Sequence, residues 1–301
     1  MPETVKTQPT LKQKLAGNEL IVAPGVYDMI SVRLADQMDF DCLYMTGFGT
    51  VASYLGEPDA GLATYTDMVN RVAAFCGVSK TPIICDADTG YGGLLNVAKT
   101  VRGYERAGAT GIQLEDQTFP KKCGHTLGRH VIAADEMVAK IKIATEVRTS
   151  SDFLIIARTD ARTSLGLDEA LRRCELYAKA GADVLFVESP ETEDELRKIG
   201  SAFDLPLLVN VVDGGRTPQL SPATLQDMGF SIAIYPGSGF QAAAFALHNI
   251  YRQIKARQGT SSMADKIYSF DEMCQLMDLD KIQDFYAAHP EPVADTCVKQ
   301  G

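Results

Sequence analysis

Short apolar runs rich in Val, Ile and Leu alternate with longer segments of helical period from residue 20 onward. This alternation is typical of repeated strand-helix units. Several of the runs are apolar on consecutive residues, as expected of parallel strands that are buried on both faces. The pattern predicts eight strands, at Leu20–Ala23, Cys42–Thr46, Ile83–Asp86, Gly111–Glu115, Phe153–Ala157, Val184–Glu188, Leu207–Val211 and Ile232–Tyr235.

The segments between these runs predict helices, and two of them end in the same way. Asn96–Ala107 and Leu167–Ala180 have helical period, and Gly108 and Gly181 follow them just before a strand, where a glycine commonly ends a helix. Eight strand-helix units within about 235 residues favour a closed (β/α)8 barrel of the TIM type over an open doubly wound sheet. The glycine-rich motifs GxGxxG and GxxxxGK[ST], which are typical of open doubly wound sheets, do not occur in the sequence. The predicted fold class is therefore α/β, with a closed barrel.

The chain continues beyond a minimal barrel. An eighth helix is predicted at Gln241–Ala256, Arg257–Ala264 has the composition of a loop, and Ser269–Ala287 predicts one further amphipathic helix. We therefore expect a barrel catalytic domain over residues 1–258 and a C-terminal helical extension of the same domain over residues 259–301. The extra helix is interpreted either as a cap on the barrel base or as a contact between subunits.

Composition and charge exclude several classes of protein. The 301 residues are 46% hydrophobic and 23% charged, which indicates a globular chain rather than a disordered one. A formal net charge of −10 repels nucleic acid and anionic lipid, so we expect neither as a partner. No run approaches the ~18 apolar residues of a membrane span, and the N-terminus lacks the apolar core of a signal peptide. Seven scattered cysteines without a CxxC pair indicate a reducing compartment, and we predict a cytoplasmic location.

Acidic residues stand at the ends of several predicted strands. In a (β/α)8 barrel the carboxyl ends of the strands converge on one mouth, which makes these residues the first candidates for function. They are Asp86, Asp88, Glu115, Asp116, Asp160 and Glu188.

Two of these acids are separated by a single residue. In an extended chain Asp86 and Asp88 would point to the same side, where carboxylates repel unless a cation intervenes. Oxygen ligands without His or Cys at ligand spacing favour a hard ion, so we predict Mg²⁺, with Mn²⁺ as the alternative. The competing interpretation is that individual acids cap helices or pair with Arg106 or Arg158.

Basic residues and a thiol also lie near the predicted mouth. Arg158 follows an apolar strand, where it could hold a carboxylate by two parallel hydrogen bonds, and with a metal this indicates a di-acid substrate. The loop after the fourth strand reads Phe119-Pro120-Lys121-Lys122-Cys123-Gly124-His125. Cations around Cys123 would lower the pKa of its thiol and make it reactive as an acid, a base or a nucleophile. The alternative is an inert loop cysteine.

A third feature keeps another class of enzyme open. Gly237-Ser238-Gly239 follows the last predicted strand and has the composition of a phosphate-binding helix start. A sugar-phosphate enzyme is therefore an alternative to a di-acid enzyme on this signal.

Nine motifs carry a resemblance to a known family over about residues 15 to 285. They are Tyr27-Asp28, Thr46-Gly47-Phe48, Pro58-Asp59-Ala60-Gly61, Asp86-Ala87-Asp88-Thr89-Gly90-Tyr91-Gly92, Glu115-Asp116-Gln117, Lys121-Lys122-Cys123-Gly124-His125, Ala157-Arg158-Thr159-Asp160, Glu188 and Asn210. With them the chain resembles the phosphoenolpyruvate mutase/isocitrate lyase superfamily. The resemblance implies a barrel whose terminal helix is exchanged between subunits, in dimers that pair into homotetramers. The Cys123 loop resembles that of the lyase branch, which implies carbon-carbon cleavage with a catalytic cysteine.

The resemblance also implies roles for single residues. Asp86, and with it Asp59, Asp88 and Glu115, would hold the metal ion, largely through waters. Arg158 and the backbone amides of Gly47 and Phe48 would hold a substrate carboxylate, and Cys123 would protonate the enolate carbon. The other catalytic candidates are Tyr44, His125 and Glu188, and the other substrate-binding candidates are Thr46, Lys121, Gly124, Asn210 and Pro236.

Pro236 bears on which small di- or tricarboxylate is the substrate. Oxaloacetate hydrolases of this superfamily carry a serine near the end of the eighth strand, and Pro236 aligns with it. Since proline offers no hydroxyl to a hydrated carbonyl, the expected reaction is cleavage of 2,3-dimethylmalate to pyruvate and propionate. An alignment that shifts to Ser238 would favour oxaloacetate hydrolysis to oxalate and acetate. 2-Methylisocitrate would need a cationic contact beyond Arg158, Lys121 and Lys122, and a non-catalytic ligand-binding barrel is the alternative of another class.

Overall fold

A closed barrel of eight parallel strands forms the centre of the structure, a computed structural model that describes residues 9–290. The strands follow each other around the barrel in chain order, and the last pairs with the first. They are β1 Ile21–Val26, β2 Leu43–Met45, β3 Ile83–Asp86, β4 Gly111–Glu115, β5 Leu154–Thr159, β6 Val184–Val187, β7 Leu207–Asn210 and β8 Ile232–Tyr235. The predicted (β/α)8 fold is confirmed, and three strands have the predicted bounds.

Helices connect the strands and continue beyond the last one. They are α1 Leu11–Leu15, α2 Met29–Asp36, α3 Gly47–Leu55, α4 Tyr65–Cys76, α5 Leu94–Arg106, α6 Ala134–Val147, α7 Ala161–Leu165, α8 Leu167–Lys179, α9 Glu193–Gly200, α10 Pro222–Asp227, α11 Ser238–Lys255, α12 Phe270–Leu276 and α13 Leu279–Ala288. Gly108 and Gly181 have φ of 99° and 104° in the turns after α5 and α8, which confirms the predicted helix ends. None of the helices within residues 9–290 has the length and apolarity that a membrane crossing requires.

In every strand except β4, alternating residues belong to two different hydrophobic cores. In β5, Leu154 and Ile156 belong to the core inside the barrel, whereas Ile155 and Ala157 face the core between strands and helices. This follows from the two-residue period of a strand, and it explains why the strands are apolar on consecutive residues.

Helix α1, which the apolar pattern did not predict, lies at one end of the barrel. Leu11 and Leu15 join the interior core. The Lys12 ammonium donates to the Ser151 carbonyl and to Asp183, just before β5 and β6. The helix therefore contacts the amino ends of the strands, and the carboxyl ends remain available for a site.

The single helix predicted at Ser269–Ala287 is wrong, because α12 and α13 replace it. Asp278 lies between them with φ 57°, in the left-handed region, and a residue in this conformation interrupts an α-helix. The amphipathic pattern is the same in one helix or two, so it could not reveal the break.

The chain forms two compact units, which are described separately. The first extends to Ala243 and holds the barrel with the first turn of α11, and the second begins at Ala244. Within the second unit, many apolar side chains are exposed, including Phe245, Tyr251, Phe270 and Phe285. The predicted boundary after residue 258 and the subunit contact of residues 259–301 stay predictions, and residues 291–301 lie outside the described part.

Candidate active site

A pocket of about 280 Å³ opens at the carboxyl ends of the strands. Its volume suits a small di-acid. Twelve of the residues proposed from the sequence line it, namely Tyr44, Thr46, Phe48, Asp59, Asp86, Cys123, Gly124, His125, Arg158, Glu188, Asn210 and Pro236. Four others, Gly47, Asp88, Glu115 and Lys121, lie next to lining residues rather than on the wall.

Asp86 is the last residue of β3, and its two carboxylate oxygens have different surroundings. Oδ1 accepts hydrogen bonds from the Asp88 backbone N–H at 3.0 Å and from the Gln113 amide at 3.3 Å. Oδ2 occupies space that a side chain at position 47 would need, because a Cβ on Gly47 would stand 2.5 Å from it. Gly47 therefore allows the start of α3 to approach Asp86 closely.

Lys121 is buried between two carboxylates. Its ammonium lies 2.6 Å from Oδ1 of Asp59 and 2.6 Å from Oδ1 of Asp88. Although burial lowers the pKa of Lys121, the facing carboxylates outweigh this effect and hold the pKa well above its usual value. The Lys121 ammonium therefore pairs with Asp59 and Asp88, which together with Asp86 and Glu115 we call the acidic wall, and it does not point into the pocket.

Asp88 is near Asp86 for a reason other than the one argued from the sequence. Its φ is 49°, so the chain turns there and the extended-strand argument is wrong. The turn brings the Asp88 N–H onto Asp86 instead. Burial raises the pKa of Asp88 to about 7, against the lowering effect of Lys121.

Glu115 presents a buried carboxylate without donors. Among the described residues neither of its oxygens has a hydrogen-bond partner, and Nη1 of Arg158 lies 3.2 Å from Oε2. A buried carboxylate that accepts no hydrogen bond is costly, and burial raises the pKa of Glu115 well above its usual value although Arg158 opposes this effect.

These acids fit a hard ion that is held partly through waters. Within residues 9–290, no group of three or more Asp, Glu, His or Cys is arranged to hold a metal ion directly. Mg²⁺ typically takes only one or two protein carboxylates and keeps several waters. Asp86, which lines the pocket, and the Glu115 oxygens, which accept no hydrogen bond within the described residues, match that mode of binding.

Arg158 uses its parallel hydrogen bonds within the protein. Nε and Nη2 each donate to the Asp160 carboxylate at 2.9 Å, and the expectation that Arg158 also holds a substrate carboxylate stays a prediction. Arg129 also donates to Asp160, which fixes this acid from the other side. The remaining N–H groups of Arg158 point toward Glu115 and Glu188, at 3.2 and 3.3 Å. Asp160 therefore orients the guanidinium, whose outer end faces the pocket.

Cys123 is partly buried, and its surroundings differ from the cationic loop expected from the sequence. Burial raises the pKa of the thiol, and Asp59 and Glu188 raise it further. The predicted lowering is wrong because Lys121 pairs with carboxylates and the Lys122 ammonium donates to the Gly128 carbonyl. A protonated thiol suits a proton donor better than a nucleophile.

The loop that carries Cys123 docks on the end of β6. A Cβ on Gly124 would collide with Arg158 and lie 2.6 Å from the Glu188 carboxylate, so only glycine permits this approach. The Ser189 hydroxyl donates to the Gly124 carbonyl at 2.7 Å, from a buried residue with φ 56°. Ser189 was missed in the sequence, since nothing in a Glu-Ser-Pro run indicates a left-handed serine.

His125 and Asn210 meet at Glu188. The Arg216 backbone N–H donates to Nδ1 of His125 at 3.1 Å, which leaves the ring proton on Nε2, 3.4 Å from Glu188. Burial lowers the pKa of His125, so the ring is neutral. The Asn210 amide donates to Glu188 at 3.2 Å. Although burial raises the pKa of Glu188, the Arg158 guanidinium and the Asn210 hydrogen bond hold it below its usual value.

An apolar wall completes the pocket. Val212, Ile234 and Phe240 line it beside Pro236, and the Phe240 ring packs edge-to-face on Phe48 with centroids 5.1 Å apart. Ser238 is not part of this lining, because it starts α11 and its hydroxyl donates to Asp213 at 2.5 Å. Val212 and Phe240 were not predicted from the sequence. Val212 lies in the loop after β7, and Phe240 lies in the first turn of α11.

Comparisons with known proteins agree with this geometry. A sequence profile of the phosphoenolpyruvate phosphomutase family matches residues 11–255. The chain is 44% identical to 2,3-dimethylmalate lyase of Eubacterium barkeri over 93% of this chain and 97% of that protein. It is 38% identical to 2-methylisocitrate lyase of Aeropyrum pernix over 89% and 86% of the two chains. A structure of oxaloacetate acetylhydrolase in complex with 3,3-difluorooxalacetate superposes with a TM-score of 0.89 at 34% identity, covering 95% and 97%.

Proposed function

The chain is an enzyme of the phosphoenolpyruvate mutase/isocitrate lyase superfamily, and on that premise we propose that it is a Mg²⁺-dependent lyase of 2-hydroxy dicarboxylates. The reaction proposed first is the cleavage of 2,3-dimethylmalate to pyruvate and propionate. The resemblance to the dimethylmalate lyase extends over nearly the whole chain, which supports this choice.

The apolar wall is the observation that carries the choice of substrate. Pro236, Val212, Ile234 and Phe240 offer surfaces for methyl groups, and none of them has a hydroxyl. The hydroxyls of hydrated oxaloacetate would find no hydrogen-bond partner on such a wall. An unpaired polar group strongly lowers kcat/KM for the substrate that carries it. The Ser238 hydroxyl, the alternative considered from the sequence, already donates to Asp213.

The metal would be held by the acidic wall. Asp86 is proposed as the principal carboxylate, with Asp59, Asp88 and Glu115 acting largely through waters, and Mn²⁺ is an alternative to Mg²⁺. When bound, the ion supplies Lewis-acid polarisation of the substrate oxygens, which lowers the pKa of the 2-hydroxyl. Lys121 balances the charge of Asp59 and Asp88.

The protein's own residues bind the substrate and move the proton. Arg158, with the Gly47 and Phe48 amides, holds one carboxylate, and Thr46, Gly124 and Asn210 line the same space. A base takes the proton of the 2-hydroxyl, the C2–C3 bond breaks, C2 becomes the carbonyl carbon of pyruvate, and the electron pair of the broken bond passes to C3 as an enolate of propionate. Cys123 then gives its S–H proton to C3. The raised pKa of the Cys123 thiol supports this role, since the group must be protonated to act as an acid.

The other catalytic candidates surround this step. Tyr44 lines the pocket, and the buried pair of His125 and Glu188 lies beside the Cys123 loop. We assign His125 and Glu188 to holding this loop and Arg158 in place for the proton transfer.

Two other substrates of the superfamily are second candidates. Oxaloacetate is favoured by the close superposition on oxaloacetate acetylhydrolase. 2-Methylisocitrate carries a third carboxylate, for which Lys121 and Lys122 are unsuited because each is already bound within the protein.

The test is steady-state turnover of 2,3-dimethylmalate, 2-methylisocitrate and oxaloacetate with Mg²⁺, compared as kcat/KM because this ratio reports discrimination between substrates. We expect the highest ratio for 2,3-dimethylmalate. Pro236→Ser should shift the preference toward oxaloacetate, whereas the control Pro222→Ser, at the first residue of α10, should leave it unchanged. A higher ratio for oxaloacetate in the unmodified protein would contradict the proposed substrate.

The proposal includes the assembly and location of the protein. We propose a homotetramer of dimers that exchange the C-terminal extension, residues 259–301, and a cytoplasmic location. The exposed apolar side chains of the second unit support a subunit contact there, because such a surface is costly in water.

A further inference from the structure

Gln113 is a buried polar residue in the middle of an apolar strand. It lies in β4 between Ile112 and Leu114, which belong to the outer core, and has no exposed surface. Two residues before Glu115, it shares the inward face of the strand with that acid. A buried amide must find hydrogen-bond partners, and the contacts of Gln113 identify what it does.

The two ends of the Gln113 amide are distinguished by their neighbours. Nε2 donates to Oδ1 of Asp86 at 3.3 Å, and an ionised carboxylate only accepts. The amide oxygen must therefore face the other way, where it lies 2.7 Å from the Tyr44 hydroxyl. Since an amide oxygen only accepts, Tyr44 donates its one proton to Gln113.

This chain of hydrogen bonds restricts Tyr44. With its proton committed to Gln113, the phenol oxygen keeps only lone pairs for other partners. Tyr44 lines the pocket, so toward a substrate it can accept a hydrogen bond but cannot donate one. A 2-hydroxyl group supplies such a donor, whereas a carboxylate or a carbonyl does not.

The same amide restrains Asp86. Its bond to Oδ1, together with the bond from the Asp88 N–H, fixes the carboxylate plane from one side. Oδ2 then packs against the backbone of Gly47, where no side chain displaces it, and Asp86 lines the pocket.

We propose that Gln113 is a positioning residue, which turns the Tyr44 oxygen into an acceptor for the substrate 2-hydroxyl and holds Asp86 toward the metal. This inference rests on the proposed lyase function. It deepens that function, because it assigns recognition of the hydroxyl to Tyr44 and Gln113 acting together.

A double-mutant cycle tests the action through Tyr44. Gln113→Leu should lower kcat/KM by about tenfold to hundredfold, the scale of one lost hydrogen bond to a reacting group. In a Tyr44→Phe background the same substitution should cost less than about threefold, since the acceptor is already gone. In a Tyr177→Phe background, Gln113→Leu should again lower kcat/KM by the full tenfold to hundredfold, because the buried Tyr177 phenol donates to Asp116 and not to Gln113. Equal losses in all three backgrounds would overturn the inference.

A second readout does not depend on turnover. The protein is titrated with Mn²⁺, and the free ion is measured by electron paramagnetic resonance. The Mn²⁺ affinity of Gln113→Leu should be about threefold to tenfold weaker than that of the unmodified protein. Unchanged Mn²⁺ affinity would overturn the part of the inference that concerns Asp86. If Gln113→Leu does not fold, as judged by its melting curve, Gln113→Met keeps the length of the side chain and replaces it in both experiments.

The two proposals fail in distinguishable ways. An unmodified protein that cleaves none of the three acids would contradict the lyase function, while the Mn²⁺ titration would still report on Gln113 and Asp86. An active protein with additive losses in the cycle would contradict the inference on Gln113 alone.

Discussion

Cys123 is partly buried, and burial, with a smaller effect of the Asp59 and Glu188 carboxylates, raises the pKa of its thiol. A group that acts as an acid must be protonated, so activity is lost as the pH rises through its pKa. Because burial raises the pKa of Cys123, we predict that kcat stays level through neutral pH and falls only above about 8.5, the ordinary thiol value.

The rate at which iodoacetamide alkylates Cys123, followed by peptide mass spectrometry across the same pH range, measures the thiolate directly. A midpoint above 8.5 is expected for a buried thiol. A midpoint below neutral pH would show a thiolate activated by cations, as the sequence alone suggested.

The acid role also predicts the effect of removing the thiol. Cys123→Ser should lower kcat by about 10²- to 10⁴-fold, the usual contribution of a positioned proton donor, with a smaller change in KM. Cys274→Ser, in α12 of the second unit, is the matched control and should retain full turnover. Undiminished turnover in Cys123→Ser would remove the acid role, whereas a lack of turnover in the unmodified protein would favour a non-catalytic ligand-binding barrel.

At the scale of residues, the sequence located the site better than it described the contacts. The strand-end rule brought Asp86, Arg158 and Glu188 to one mouth. It could not show that Lys121 and Arg158 form ion pairs with neighbouring carboxylates, because these pairs depend on distances in the folded structure. Gln113 could have been found, since a lone polar residue two positions before Glu115 must share its face.

At the scale of elements, the loop that carries Cys123 is held to the end of β6 by Ser189. The hydroxyl of Ser189 donates to the Gly124 carbonyl, while its positive φ is a conformation that glycine adopts without cost. We predict that Ser189→Gly loosens the loop and speeds the alkylation of Cys123 about fivefold, which corresponds to a loss of about 1 kcal/mol in the free energy of loop closure.

Ser189→Ala separates the hydroxyl from the backbone. It also removes the hydroxyl but keeps a Cβ at positive φ, so both variants should speed alkylation if the hydrogen bond closes the loop. Since the native serine already has a Cβ at this φ, a faster rate only in Ser189→Ala would show that relief of backbone strain in Ser189→Gly offsets the lost hydrogen bond. Unchanged rates in both would show that Gly124 packing alone holds the loop.

At the scale of elements, periodicity predicted the barrel because every strand-helix unit repeats the same two signals. Predicted strand ends differ from the observed ones by up to three residues, as in β1, which continues through Pro24 and Gly25 to Val26. The short helix α1 and the break at Asp278 were not predicted, since each depends on local backbone geometry rather than on an apolar period.

For the whole molecule, the exposed apolar residues of the second unit predict assembly. Sedimentation equilibrium should find four copies of the 32.6 kDa chain. Tyr251→Glu with Ile254→Glu should yield smaller species, because charge opposes burial of this face, whereas the control Met38→Glu, exposed after α2, should not. A single chain at micromolar concentration in the unmodified protein would contradict the tetramer.

The most direct test of the account is the cleavage of 2,3-dimethylmalate in D₂O with Mg²⁺, followed by nuclear magnetic resonance of the products. If the C2–C3 bond breaks and Cys123 delivers the proton to the enolate, the products are pyruvate and propionate with one deuterium at C2, in a single configuration. The absence of pyruvate and propionate, or deuterium in mixed configuration at C2, would contradict the proposed lyase with Cys123 as its acid.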